Sequence, residues 1–511
     1  MPKNLTPISV VAPAFYGLNS QRKADILDFS WATKIGNCSI DDSGRIAARN
    51  GYQNAHASAI AASPDVKSMF EYIDASGNKL QILAAGNAIY KLVGGTLTDI
   101  SGSITTPTGD NWKFQNFNGR VVGFQSGHAP VVMTSVAGTF ADISLSGTQQ
   151  PTTNANEVMA AFGRLWCLDG TDLKYSDALD QTTWNGVFDL TTVWLAGMDI
   201  GTALAEFNGH LVVFGNSSIV IYNNPWVPTG GGSIDTTAMS LVENIGEIGC
   251  IARDSVQFIG TDILFLSAQG VRSLGRTIQE KSMPVNDLSR NVNDELNDLV
   301  SGETPANIKS AYSKAKGFYL LTLPVSNKTY YFDLRRPLED RSFRVTRWDM
   351  SFKSMYVNSS NVVYLGTAGY INKHQGYLDN VSSDGSGGST YELTYESGWN
   401  DLGMSGVNKI PKKIGVLVLG GEGQTMVVKW AFDFVDSFSS FTNTIAVGNN
   451  AEYNVAEYNI DEWSGGLSYN RIKAPMSKSG QVIKFGISIT INGASVALQQ
   501  IDMFSKIGRM A

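Results

Sequence analysis

The side chains most able to do chemistry are sparse along these 511 residues, and their spacing forms no known catalytic or metal-binding set. Four histidines are present: His56, His128, His210 and His374. No two of them have the spacing of metal ligands, so we expect imidazoles that face solvent or form local hydrogen bonds. Three cysteines, Cys38, Cys167 and Cys250, lie far apart without a CxxC or Cys/His pattern, which predicts neither a disulfide framework nor a zinc site.

Motifs for nucleophilic catalysis and for phosphate binding are also missing. The sequence has no GxSxG, HExxH, P-loop or EF-hand pattern. The glycines Gly230–Gly232 follow Thr229 without the Lys and Ser/Thr that a phosphate-binding loop needs, so a flexible loop is expected there. We therefore predict no catalytic residue, no cofactor-binding residue, no metal ligand and no cofactor, and we expect that the chain is not an enzyme.

One segment could suggest a glycosidase. Ser176–Trp184 resembles the Ser-Asp-Trp turn (the Asp-box) of sialidase propellers, but it occurs once, lacks the central Gly, and is a structural turn in those proteins. Sialidase chemistry also needs clustered arginines and a Tyr/Glu nucleophile pair. The candidate arginines are Arg253, Arg272, Arg276, Arg335, Arg336, Arg341, Arg344 and Arg347. Spacing alone does not gather them, and the mixed-charge run Asp333–Arg341 predicts a solvated loop or a subunit contact.

The elements that must position these residues follow a repeat. A polar or Gly turn followed by an apolar strand occurs seven times, at 76–83, 118–124, 162–168, 208–214, 260–266, 316–321 and 360–365. The copies start roughly 42 to 56 residues apart, about the length of a four-stranded propeller blade. We therefore predict an all-β fold, a β-propeller of six or seven blades, with an N-terminal extended segment and a C-terminal antiparallel β-domain.

Three regions are expected along the chain. Residues 1–62 form an N-terminal leader, extended and with a short helix between Gln21 and Ile35. Residues 63–380 form the propeller, with inserted loops near 224–240 and 276–305, the second of which adds a helical turn or two at Asp294–Val300. The Ser/Gly-rich stretch 382–389 predicts a flexible linker or a loop tip. Alternating apolar runs then predict a β-sheet or sandwich over 390–511.

Bulk composition disfavours two classes of protein, those that bind nucleic acid stably and those that span a membrane. There are 39 basic and 46 acidic residues, a net charge of −7, and no basic run, which disfavours stable nucleic-acid binding. The amino end has no signal-peptide pattern, and no 18-residue apolar run occurs, so we expect synthesis in a cytoplasm and no membrane-spanning segment.

The leader carries a family resemblance. Pro13–Ser20 and Asn37–Tyr52 resemble the opening of the tail nozzle proteins of short-tailed bacteriophages, also called tail tubular protein B or tail stabilisation protein. The shared pattern is a "PG-GLN" stretch followed by "N…ID..GR…R.GY", and Ala14 replaces the usual Gly. The segments 214–222, 245–250 and 264–267 also resemble the family.

This resemblance implies a structural virion protein at the distal end of a phage tail. Such a chain forms a six-fold ring with itself, below the tail adaptor protein and beside tail fibre or spike proteins. It extends the DNA channel, retains the genome, and lets double-stranded DNA pass without specific binding during ejection. The alternative is a tail-associated carbohydrate-binding or glycan-degrading β-propeller, since the fold hosts both scaffolds and enzymes.

Overall fold

The chain is almost entirely β-structure. A computed structural model describes residues 5–104, 111–194, 199–226, 239–280, 287–435, 437–446 and 469–510. Two α-helices lie in this described part, Leu274–Glu280 (α1) and Asn293–Ser301 (α2). Short 3-10 turns occur at Leu190–Thr192, Arg253–Ser255, Arg290–Val292 and Pro305–Asn307. Among the described residues, no helix has the length and apolar character needed to cross a membrane.

Seven small antiparallel sheets follow one another along the chain, and we number them as blades 1 to 7. Blade 1 consists of Val66–Ile73, Lys79–Ala85, Ala88–Val93 and Thr96–Asp99. Blade 2 consists of Lys113–Phe117, Arg120–Phe124, Val131–Met133 and Ala141–Asp142. Blade 3 consists of Ala155–Ala161, Arg164–Asp169, Asp172–Ser176 and Trp184–Asp189. Blade 4 consists of Gly201–Phe207, His210–Gly215, Ser218–Asn223 and Ser240–Gly246.

The remaining blades are less regular. Blade 5 consists of Gln257–Phe258, Ile263–Ser267 and Gly270–Ser273, directly followed by α1. Blade 6 consists of Lys309–Ser313, Phe318–Leu323, Lys328–Asp333 and Arg344–Trp348. Blade 7 consists of Ser354–Val357, Val363–Gly366 and Ile371–His374, and its fourth strand is Tyr52–Asn54 from the leader.

The blades form a closed ring around a central channel. The first strand of each blade contacts the first strand, or the turn just before it, in the next blade, and the first strand of blade 7 contacts that of blade 1. Separate apolar clusters fill the spaces between neighbouring blades, such as the one that joins Phe124 of blade 2 to Leu165 of blade 3. The predicted β-propeller is confirmed, and the described residues form seven blades.

The repeated sequence phrase has a single structural meaning. Each copy is the turn between the first and second strands of a blade, followed by the second strand. In blades 2 and 4 the turns Asn118-Gly119 and Asn208-Gly209 have positive φ at both residues, 48° and 70° in one and 51° and 76° in the other. Asn and Gly tolerate this left-handed backbone best, which is why the phrase is visible in the sequence.

A β-sandwich follows the ring. One sheet contains Tyr469–Pro475, Val407–Gly420 and Val496–Met510; the other contains Ser439–Thr444, Thr425–Phe432, Ile483–Ile491 and Tyr391–Glu396. The two inner faces share one apolar cluster, in which Val416 of the first sheet and Ile487 of the second are fully buried. The same cluster continues through Leu18 of the leader to Leu264 of blade 5 and Val345 of blade 6.

The leader is a series of short strands that complete other sheets. Thr6–Val11 pairs with the last strand, and Gly17–Leu18 and Trp31–Ala32 extend blade 6 in parallel. Lys34–Gly36 joins the second sandwich sheet, and the hairpin Cys38–Ile40 with Ile46–Ala48 joins the first.

The expected helix between Gln21 and Ile35 is wrong. Turns and two short strands occupy this stretch, because its backbone bonds to distant partners: Asn19 N to Ala32 O at 2.9 Å and Thr33 N to Glu396 O at 2.9 Å. Pairing with the leader strand Gly17–Leu18 and with the sandwich therefore overrides the local helical pattern.

The two inserted loops lie at blades 4 and 5. Residues 227–238 of the first and 281–286 of the second lie outside the described residues. The helical turns expected at Asp294–Val300 are confirmed as α2. The stretch 382–389 is an exposed loop tip, closed by backbone hydrogen bonds between Asp379 and Ser389.

Candidate functional site in the propeller channel

The channel of the ring holds a cavity of about 520 Å³. The first strands of blades 1, 2, 6 and 7, and the residues that open blade 5, line it. Its charged lining residues are Lys67, Glu71, Lys113, Asp254 and Lys309. The first strands all run in the same direction along the channel axis. Side chains at the starts of these strands therefore meet at one end of the cavity.

Five charged side chains meet at that end, and we call them the channel cluster: Lys113, Glu157, Arg253, Asp254 and Lys309. They come from blades 2, 3, 5, 5 and 6 respectively. The Lys113 ammonium lies 3.6 Å from Asp254 Oδ1 and 3.6 Å from Glu157 Oε1. Asp254 Oδ2 accepts from Lys309 Nζ at 2.6 Å and from Arg253 Nη2 at 2.9 Å. These ion pairs join blade 2 to blade 5 across the axis, so they form the floor of the cavity.

Backbone and amide groups hold the cluster in place. Arg253 Nη1 donates to Asn156 O at 2.7 Å, and Arg253 Nη2 donates to Asn111 O at 3.3 Å. Ser310 Oγ donates to Asp254 O at 2.7 Å and accepts from Gln257 Nε2 at 3.0 Å. The guanidinium and the aspartate are therefore fixed by several bonds each, as buried charges require.

Burial and neighbouring charges shift the pKa values of the cluster in opposite directions. Burial raises the pKa of Glu157 to about 7, against the opposing effects of Lys113 and Arg253. Burial also raises the pKa of Asp254, but Arg253, Lys309 and Lys113 outweigh it, and that pKa falls well below the usual range. Burial lowers the pKa of Lys309, with Asp254 opposing. Near neutral pH the cluster thus contains a firmly ionised aspartate and a glutamate close to its titration point.

Such an arrangement can hold charge and exchange a proton, but it does not match a glycosidase pair. A glycosidase needs two carboxyl groups facing the substrate from opposite sides of the scissile bond. Asp254 lines the cavity, whereas Glu157 is only 3% exposed and lies outside the lining. Asp254 is also engaged by two cations at hydrogen-bond distance.

The four histidines are not brought together. His56 is buried in blade 7, where its Nδ1 lies 2.8 Å from Ser58 O and its Nε2 accepts from Ile371 N at 3.1 Å. His210 contacts Asn208 O at 3.0 Å in the blade 4 turn. The expectation of local hydrogen bonds is therefore confirmed for His56 and His210.

The expectation of solvent-facing imidazoles is wrong for the other two, because aromatic neighbours bury them. His128 packs against Trp112, and His374 packs against Phe318 and Trp348. Burial, followed by Lys316 and Arg49, lowers the pKa of His374 to about 3.

Four of the candidate arginines form ion pairs away from the channel cluster, with three different carboxylate groups. Arg272 pairs with Asp287 at 3.0 Å, and Arg347 pairs with Glu295. Arg335 and Arg344 share Asp333, which is fully buried. The run Asp333–Arg341 is therefore a solvated loop only in its later part, because Asp333 anchors two guanidinium groups inside the protein.

The remaining sequence candidates have structural positions. Ser176–Trp184 forms the turn between the third and fourth strands of blade 3, with Ser176 and Trp184 both fully buried. All three cysteines are buried thiols. Within the described ranges, no group of three or more His, Cys, Asp or Glu side chains is placed to hold a metal ion.

Sequence reasoning missed the channel cluster itself. The available signal was a charged residue at the start of an otherwise apolar or neutral first strand, as in Trp112-Lys113-Phe114 and Ile308-Lys309-Ser310. Charges at equivalent positions of a ring repeat point to the same axial level, because every first strand faces the channel.

Comparisons with known proteins add little. No family model matches the sequence, and no curated protein is similar to it in sequence. Similar solved structures include PorZ of Porphyromonas gingivalis (13% identity, 61% of this chain, TM-score 0.37), of whose length this chain spans 37%.

Two further similar structures are complete propeller-sized chains. They are the Pan2 WD40 domain of Neurospora crassa (9% identity, 64% of this chain and 96% of that chain, TM-score 0.37) and YCF48 from Cyanidioschyzon merolae (11%, 64% and 99%, TM-score 0.38). These TM-scores are low and support no functional inference. The propeller assignment rests on the strand pairing of this chain.

Proposed function

We propose that the chain is a structural subunit of the tail of a short-tailed bacteriophage. In this proposal it forms the distal nozzle ring, extends the DNA channel, retains the packaged genome and lets it pass during ejection. The observation that carries the proposal is the role of the leader residues that resemble the nozzle family: they join the propeller to the sandwich, and their positions require their residue types.

The first half of the pattern supports this reading at Gly17. Its φ is +85°, and a Cβ there would lie 2.5 Å from Val345 O of blade 6, so only Gly fits. Asn19 Oδ1 accepts from Gln21 N at 3.1 Å and from Arg22 N at 3.0 Å, which closes the following turn. Ala14, which replaces the family's Gly, has the left-handed φ of 53° that Gly favours.

The second half of the pattern supports it at Asn37 and Arg49. Asn37 is left-handed (φ 55°), and its Oδ1 accepts from Arg49 Nε at 3.2 Å and from Asp349 N at 3.1 Å. Arg49 is 2% exposed and forms two bonds to Asp379, at 2.8 Å and 2.6 Å. Its guanidinium also lies 4.0 Å from the ring centre of Tyr391 in the sandwich. Through Asn37 and the buried Arg49, these contacts tie the segments that follow blades 6 and 7 to the sandwich.

The electrostatic and mechanical properties are consistent with a conduit subunit. A ring that withstands internal pressure needs rigid subunits, and a continuous apolar cluster joins leader, blades and sandwich here. A subunit with a net charge of −7 repels the phosphates of DNA, so it does not bind tightly to DNA that passes through the ring.

Depletion from phage particles tests the proposal. Particles assembled without this chain should package DNA and then lose it, and wild-type protein supplied in trans should restore both retention and infectivity. Particles that retain DNA normally without the chain would contradict the proposal.

A glycan-release assay with purified protein addresses the alternative function. The nozzle proposal expects no product from host surface polysaccharide. Turnover that disappears in Asp254→Asn but persists in Lys412→Met, at an exposed position in the sandwich, would establish the carbohydrate-active alternative instead.

A further inference from the structure

The floor of the channel cavity is positively charged in a negatively charged protein. The channel cluster carries three cations, Lys113, Arg253 and Lys309, against two carboxyl groups, whereas the whole chain has an excess of seven acidic residues. Burial disfavours the ionised form of one of these carboxyl groups, that of Glu157. An anion that reaches the floor is therefore attracted by an excess of positive charge.

The floor also offers unused hydrogen-bond donors. Both carboxylate contacts of Lys113 are 3.6 Å long, beyond hydrogen-bond distance, although its ammonium carries three N–H groups. Lys309 donates to Asp254 and to Asn111, which leaves its third N–H group. The ammonium groups of Lys113 and Lys309 lie close together, because they face the two oxygens of the same aspartate at 3.6 Å and 2.6 Å, and the binding of a carboxylate or a phosphate needs such a pair.

The wall of the cavity is suited to contact with a ring-shaped ligand. Phe70, Tyr312 and Tyr356 line it and are each partly exposed, and Tyr356 is stacked on Tyr364 with ring centres 5.3 Å apart. Gln115 and Gln257 add polar groups between the aromatic rings. A volume of about 520 Å³ lies in the range of small-molecule sites, which combine apolar walls with a few polar groups.

We propose that the propeller channel is a binding site for a small organic anion. Its carboxylate or phosphate group contacts the Lys113 and Lys309 ammonium groups, and its ring lies against Phe70, Tyr312 and Tyr356. This site is independent of the proposed tail function, because it depends only on the channel of one subunit.

The pH dependence of binding follows from Glu157. Its carboxyl faces Lys113 of blade 2 and Arg253 of blade 5, with Asp254 and the Cys250 thiol nearby. When Glu157 takes up a proton, the floor loses one negative charge and attracts an anion more strongly. Affinity should therefore rise as pH falls from 8 to 6. The rise should be smaller in Glu157→Gln, where only Lys309 still titrates in this range, because burial lowers the pKa of Lys309 to about 8.

Calorimetric titration of the full chain tests the proposal with three probes: glucuronate carries both ring and charge, inorganic phosphate carries only the charge, and glucose carries only the ring. We expect glucuronate to bind at millimolar concentration or better, phosphate to bind more weakly, and glucose not to bind. Lys113→Met should weaken anion binding at least tenfold, whereas Lys412→Met, at an exposed position in the sandwich, should not change it.

Three results would overturn the proposal. The first is the absence of heat with glucuronate and phosphate in both the wild type and Glu157→Gln. The second is glucose binding as tight as glucuronate binding. The third is anion binding that persists unchanged in Lys113→Met. Since Glu157→Gln removes a buried charge and keeps every lysine, it keeps the test valid even if Lys113→Met fails to fold.

Discussion

At the scale of single residues, Glu157 should make stability depend on pH. Its pKa in the folded chain is about 7, above the ordinary value of 4.5, mainly because of burial. A carboxyl group with a raised pKa contributes its full stability below the unfolded pKa and loses it as pH rises through the folded pKa. At about 1.4 kcal/mol per pH unit, the wild type should lose about 3 kcal/mol relative to Glu157→Gln between the two pKa values.

Urea unfolding of both proteins from pH 4 to pH 8 measures this difference. Glu206→Gln is the matched control, because Glu206 lies on the first strand of blade 4 but is exposed. Its unfolding curve should stay parallel to that of the wild type across the pH range. A parallel curve for Glu157→Gln would show that burial does not control this carboxyl.

Arg49 should be the most costly leader side chain to remove. Arg49→Ala leaves Asp379 without the cation that forms two bonds to it, and losing one partner of a buried pair costs about 3–5 kcal/mol. Lys34→Ala is the control: its side chain is 56% exposed and its ammonium lies 3.6 Å from Glu396, so its loss should cost no more than about 1 kcal/mol. Midpoints of urea unfolding compare the two, and equal losses would contradict the role given to Arg49.

At the scale of elements, two glycines should respond differently to alanine. A Cβ at Gly51 would lie 1.9 Å from Leu378 O, where the leader enters blade 7, and all three nearest atoms are backbone atoms of Leu378, which cannot move aside as a flexible side chain could. Gly51→Ala should therefore cost more than about 4 kcal/mol or prevent folding. Gly209 has φ +76° with no atom within 4 Å of the added Cβ, so Gly209→Ala should cost only about 1–2 kcal/mol of backbone strain. Thermal melting measures both, and a mild effect at Gly51 would show that the closing strand is not held tightly.

The elements that could be predicted from the sequence are those with local signals. Asn118-Gly119 and Asn208-Gly209 mark their turns because left-handed backbone selects these residues, and α2 follows from its own helical pattern. The leader strands could not be predicted, since two or three residues give no periodicity and their partners lie far away, as in Gly17 with Val345. The candidate site was missed for the same reason: Lys113 and Asp254 meet only when the ring closes.

At the scale of the whole molecule, the propeller and the sandwich should unfold together. One apolar cluster runs from Leu264 of blade 5 through Leu18 of the leader to Val416 of the sandwich, and the leader completes sheets in both units. Differential scanning calorimetry of the wild type should therefore show one main transition. Arg49→Ala should lower its temperature without splitting it. Two well-separated wild-type transitions would mean that the units are energetically independent.

The proposed ring explains why a subunit would be built this way. A conduit subunit made of two domains would deform most easily where the domains are connected. The leader strengthens that connection, because its strands lie in blade 6, blade 7 and both sheets of the sandwich. The ion pair of Lys113 with Asp254 joins opposite blades across the propeller channel. In the proposed ring, DNA would therefore pass along the axis of the assembly and not through a propeller.

Averaged electron microscopy images of the phage tail test the central claim most directly. The proposal predicts a six-fold ring at the distal end of the tail, in which each subunit of 55.1 kDa shows a seven-bladed propeller joined to a β-sandwich. Tails whose distal density has another symmetry or does not accommodate this propeller, or purified particles that lack the chain, would contradict it.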